Sequence, residues 1–117
     1  MQPLILNRNA CTILPLVLTG HWFNMIRTGG KREEYRDFSD YWGLRLANWD
    51  LSLSPHVVEF RHGYAKNAHR MAFLALRCDT RSGYHYYACK NTCDHPEWGE
   101  PATPHYLIRI GRPVNLK

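Results

Sequence analysis

Four largely apolar runs punctuate this chain, "CTILPLVL" from Cys11, "HVVEFRHGY" from His56, "RMAFLALRCDTR" from Arg70 and "HYLIRIGRPV" from His105. Each is long enough for a strand, rich in β-branched and aromatic residues, and bounded by Gly, Pro or charged residues. Two shorter segments read differently. In "HWFNMIRT", Trp22, Met25, Ile26 and Gly29 share one face at three-and-four spacing, with Thr19 as a candidate N-cap. In "SDYWGLRL", Ser39 caps a second short helix, and Trp42, Leu44 and Leu46 are its candidate packing residues. Strands outnumber helices, with "KREEYRDF" and "YHYYACK" as further candidates, so the pattern predicts an α+β protein of five or six strands and two helices. The expected architecture is a small barrel or a strongly bent sheet. Pro15 inside the first long strand marks an edge or an entry point. The segment "NTCDHPEWGEPATP" holds three of the seven prolines and reads as a long loop.

A chain of 117 residues is read as one domain, large enough to bury a core without staples. No charge precedes Leu4, and Asn7, Arg8 and Asn9 split the apolar N-terminal region, which argues against a signal peptide or a membrane span. The expected location is the cytosol, with the four cysteines reduced. Fifteen basic and ten acidic residues leave a net charge of +5, which favours polyanionic partners.

The most informative stretch is "RTGGKREEYRDF", Arg27 to Phe38. Gly29 and Gly30 end the first helix, because a left-handed residue after a helix is cheapest as glycine. The spacing Gly29-x-Lys31-x-x-Glu34-x-Arg36 follows. In an ideal strand Arg32, Glu34 and Arg36 face one way, and Lys31, Glu33 and Tyr35 the other. Lys31 joins Glu34 only if it still lies in the turn after Gly30, which is the expectation, or if a bulge shifts the phase. The plainer reading of Glu34 and Arg36 is a surface ion pair worth under about 1 kcal/mol.

This spacing resembles the G-x-K-x-x-E-x-R signature of the ASCH domain, a family of PUA-like barrels linked to RNA. The resemblance covers roughly Ile13 to Val114 and includes the preceding helix and the final "YLIRIG" strand. It implies a small PUA-like β-barrel of five to six strands with two short helices. It also implies a basic pocket in which Lys31, Glu34 and Arg36 meet RNA or a modified nucleoside. Lysine suits phosphate as a compact ammonium, arginine offers a planar fork, and glutamate can accept from a base amine or hold the arginine. Tyr41, Arg61 and Tyr64 are rim candidates. Tyr41 can stack on a base, while Arg61 and Tyr64 flank the turn at Gly63, where a polar strand end is the equal alternative.

Some ASCH relatives are hydrolases, and one branch deacetylates acetylcytidine with a lysine, a threonine and a distant glutamate. Lys31 takes the lysine's place, but Glu34 stands where the threonine would be, and Glu59 is an unassigned candidate for the glutamate. Hydrolysis of RNA or a modified nucleoside through Lys31 and Glu34 is therefore the second expectation. A third is a zinc-stabilised interaction module. Cys89, Cys93 and His95, with Cys78 and His85 upstream, are suitable zinc ligands, but no second closely spaced pair completes a tetrahedral set. No cofactor and no metal is expected. The seven histidines are read as surface or loop residues, none with a serine or cysteine partner at a spacing typical of nucleophilic catalysis.

Overall fold

The computed structural model describes residues 2–117. The strands are β1 (Leu4–Leu6), β2 (Thr12–Leu18), β3 (Glu33–Asp37), β4 (His56–His62), β5 (Arg70–Leu76), β6 (Cys78–Thr80), β7 (Gly83–His85), β8 (Ala88–Lys90) and β9 (His105–Leu116). Helix α1 (Gly20–Arg27) joins β2 to β3, and α2 (Asp40–Asp50) joins β3 to β4. The fold is α+β, with two α-helices and a mixed seven-stranded sheet. The order β1-β9-β5-β4-β2 forms its path, with β3 and β8 also paired to β9; β6 and β7 form a separate hairpin.

The twelve-residue β9 organises the sheet. Its first half lies between β3 and β8, and its second half between β1 and β5. This explains why the apolar run "RMAFLALRCDTR" does not continue as one strand. Leu76 pairs with Arg109, but β8 occupies the next positions of that edge, opposite Leu107 to His105. The chain therefore leaves β9 after Leu76 and turns into the β6–β7 hairpin. The resulting strand count exceeds the expected five or six, because β1 was not anticipated and two predicted strands each divide in two.

The sheet does not close into a barrel. β2 pairs only with β4, and β3 only with β9, leaving an open seam between β2 and β3. Side chains satisfy the free edge of β2 instead: Trp49 Nε1 donates to Thr12 O at 3.3 Å, Arg45 to Pro15 O at 3.2 Å and Arg36 to Val17 O at 3.2 Å. Pro15, which has no N–H to offer, suits this edge.

The main core gathers Leu14, Leu16, Phe60, Phe73, Ile108 and Ile110 with Phe23 and Ile26 of α1 and Leu46 and Trp49 of α2. The expected helix faces shift accordingly. Phe23 and Ile26 bury most deeply in α1, leaving Trp22 half-buried at its side. In α2, which runs further than its first turns suggested, Leu44 is exposed and Leu46 and Trp49 pack inward. Leu44 and Leu46 lie about 200° apart around a helix, so only one can face the sheet. A smaller cluster of Val57, Ala72 and Val114 covers the other face under β1.

Two histidines contradict the surface reading. His56 is buried and stacks on Tyr86 at 3.9 Å between centroids, with neither ring nitrogen hydrogen-bonded. His105 is buried against the carboxylate of Glu100. Among the described residues, no helix is long and apolar enough to cross a membrane.

Candidate functional site

The site begins with how α1 ends. Thr28 caps it, and Gly29 follows at φ +84°, a conformation that glycine adopts without penalty. Gly29 N–H donates to Ile26 O and Lys31 N–H to Met25 O, both at 3.1 Å. These bonds fold the chain back so that Lys31 leaves the turn two residues before β3 starts. Freed from the alternation of the strand, its ammonium reaches Glu34.

Glu34 is the centre of the cluster. Its Oε1 accepts from Lys31 Nζ at 3.3 Å and from the Tyr35 N–H at 3.1 Å, and its Oε2 accepts from Arg36 Nη2 at 2.7 Å. The same Nη2 reaches across the seam to Val17 O. Lys31 and Glu34 are only 4% and 3% exposed, which overturns the weak surface-pair reading. Burial draws the lysine's pKa below its ordinary value, and Glu34 opposes that shift. Trp22 lies 4.4 Å from the ammonium and Tyr35 5.2 Å, so two aromatic faces replace part of its lost hydration.

These groups open on a hollow of about 320 Å³ at the seam. The end of β2 forms one wall, β3 the other, and Trp22, Gly99 and Pro101 complete it. Gly99 has φ +77°, and a Cβ there would stand 2.6 Å from the Trp22 ring. The backbone can approach the indole only because the side chain is absent. Arg36 Nε is buried and has no hydrogen-bond partner among the described residues, a cost carried by the cluster.

A second buried ionic group holds the Gly99–Pro101 wall. Glu100, with a fully buried carboxylate, accepts from Lys90 Nζ at 2.7 Å and His105 Nε2 at 2.8 Å, and from the N–H groups of Asp94 at 2.7 Å and His95 at 2.9 Å. Burial alone would raise its pKa, but these donors outweigh it and hold the carboxyl at about 2. His105 in turn meets the Tyr35 ring edge-on, linking this group to the hollow.

The rim candidates lie elsewhere. Tyr41 is exposed on α2, accepts a hydrogen bond from Arg45 at 2.7 Å and stands edge-on to Trp42. Trp42, expected in the core, is half-buried with Arg36 4.9 Å and Arg45 5.2 Å from its ring. The guanidinium of Arg61 donates to the carbonyls of Tyr64 and Ala65, bracing its own turn, and Tyr64 is exposed. Neither lines the hollow, nor does Glu59, which pairs with Arg8 at 2.7 Å.

The proposed zinc ligands disperse. Cys93 donates to Glu100 O, His95 stacks on Trp98, Cys78 is buried and His85 faces Asp50. Among the described residues, no three His, Cys, Asp or Glu side chains gather as a metal site would require.

The residues missed in the sequence are Trp22, Gly99 and Pro101. Trp22 was visible beside the glycine pair but assigned to the core face. The other two are joined to the motif only through a long-range loop. Comparison with known proteins finds no matching family model, no matching curated protein and no matching solved structure.

Proposed function

We propose that this protein binds RNA or a modified nucleoside in the hollow at the β2–β3 seam. In this reading the chain is ASCH-like, and its bent sheet is a PUA-like barrel left open where the ligand enters. The supporting observation is the convergence of Lys31, Glu34 and Arg36 on one concavity. Lys31 and Arg36 share the lining with the carboxylates of Glu34 and Asp37, so the hollow is formally neutral and its cationic donors favour a base edge rich in acceptors over a bare phosphate. Beside the hollow, Arg36 of β3 lies over Trp42, and on α2 Arg45 lies over both Trp42 and Tyr41, so cation and aromatic ring alternate from the hollow onto the helix. Such an alternation suits a single strand whose bases stack as its phosphates are neutralised. Arg61 and Tyr64 have no part in this arrangement.

Binding is favoured over hydrolysis by the state of Glu34. Both of its oxygens are already engaged by donors, so the carboxylate serves as a brace and is a poor base for water.

Titration with short single-stranded RNAs and modified nucleosides tests this reading. Arg36→Ala is expected to weaken binding roughly 5- to 150-fold, the range for losing one specific arginine contact. Unchanged affinity in a folded Arg36→Ala variant rules out the hollow as the binding site. Product formation that depends on Lys31 would instead establish the hydrolase.

A further inference from the structure

A different part of the molecule carries a nucleophile, a base and a carboxylate in series. His85, at the end of β7, faces Asp50 Oδ2 with its Nδ1 at 2.7 Å. Its Nε2 lies 3.3 Å from Ser82 Oγ, in the turn between β6 and β7. The carboxylate can only accept, so a neutral ring donates Nδ1–H to it and turns the Nε2 lone pair toward the serine hydroxyl. The sequence concealed this set, because Asp50 lies 35 residues before His85 and ends a helix.

Three further observations make the alignment more than a surface contact. The carboxylate of Asp50 is nearly buried and also accepts from the Tyr86 N–H, which fixes its orientation. It sits at the C-terminal end of α2, where the helix dipole disfavours an anion and favours a cation forming on His85. Ser82 and His85 border a hollow of about 500 Å³, whose lining also holds Arg81 and Asp79 as opposite charges and Tyr87 and Ala88 as apolar wall.

We propose that Ser82, His85 and Asp50 act as nucleophile, general base and positioning carboxylate in the hydrolysis of small carboxylic esters. Ser82 Oγ attacks the ester carbonyl as His85 Nε2 takes its proton. The ester C–O bond breaks, and His85 returns that proton to the departing alcohol. Water then attacks the acyl-serine with its proton passing to His85, and the carboxylic acid leaves as the proton returns to Ser82. Arg81 is the cation available to the tetrahedral oxyanion. Cys89 borders the same hollow, but among the described residues no base is hydrogen-bonded to its thiol, and desolvation raises that thiol above its ordinary range. No residue of the ionic hollow takes part, so this activity stands apart from the binding reading.

The test treats the full chain with a fluorophosphonate and with 4-nitrophenyl acetate. Intact and peptide mass analysis should locate one phosphonyl adduct on Ser82 in the native protein and none after heat denaturation. Ser82→Ala, in an exposed turn where folding is readily verified by circular dichroism, should lose the adduct. His85→Gln should slow ester turnover about 10²- to 10⁴-fold. Asp50→Asn should lower kcat with KM kept, as a positioning role requires. Cys89→Ser should retain both adduct and turnover. An adduct on Cys89, no adduct on folded wild type, or turnover unchanged by Ser82→Ala overturns the proposal.

Discussion

Replacing Glu34 with alanine is expected to destabilise the fold by about 3–5 kcal/mol, the usual loss when one partner of a buried ion pair is removed. The magnitude follows from what remains behind. Lys31 is 4% exposed and would keep only two aromatic faces for company, while Arg36 would lose its 2.7 Å contact with the carboxylate. The Tyr35 N–H would lose its acceptor too. Urea unfolding of the wild type and variant measures this directly. A companion triple variant, Lys31→Met with Glu34→Leu and Arg36→Met, removes all three charges together. Apolar replacement of a whole buried ionic set is often neutral or stabilising, so this variant should recover much of the lost stability. It should nevertheless bind no RNA. Recovery of stability without binding would show that the charges are kept for a ligand. A Glu34→Ala loss below about 1 kcal/mol would mean that water reaches the cluster and screens it.

Glu100→Gln is the second large effect, also about 3–5 kcal/mol. An amide can turn its oxygen to only one pair, Lys90 with His105 or the N–H groups of Asp94 and His95, and its nitrogen then presents donors to the other pair. The Asp94 and His95 N–H groups donate to this side chain, so their hydrogen exchange should accelerate with the loss of stability. The Gly99–Pro101 wall depends on the same anchor, so ligand affinity should fall as well.

The pH dependence of this anchor has a defined sign. The Glu100 carboxyl lies at about 2 in the folded protein against an ordinary value of 4.5. A depressed carboxyl stabilises the fold above its unfolded value, and that contribution is lost as pH falls from about 4.5 toward 2. At about 1.4 kcal/mol per pH unit, the loss amounts to roughly 3 kcal/mol. Acid titration of unfolding should therefore be steeper in wild type than in Glu100→Gln across that window. Parallel curves would show that Glu100 is not held by its donors.

Much of the local structure was legible from neighbouring residues. Ser39 does accept from the Trp42 N–H, Gly29 does take the left-handed turn after α1, and Pro15 does lie on an edge strand. Each depends on backbone chemistry within a few residues, which a single sequence displays. The place of Lys31 in the turn ahead of β3 was expected as well, although the strand begins at Glu33, two residues later than "KREEYRDF" suggested. What the sequence alone determined was thus the set of elements that surround the motif and the direction in which its lysine leaves the turn.

Long-range pairing decided the rest. Whether Glu34 faced water or a protein wall depended on β9, Trp22 and Pro101 meeting around it, and no spacing within the motif encodes that. The division of the apolar middle run depended on β8 claiming an edge of β9, and the same pairing sets Lys90 beside His105, the two cationic donors around Glu100. Burial is a property of the assembled sheet. The same carboxylate is a weak surface partner or a buried anchor according to which distant residues exclude water from it, and only the tertiary structure makes that choice.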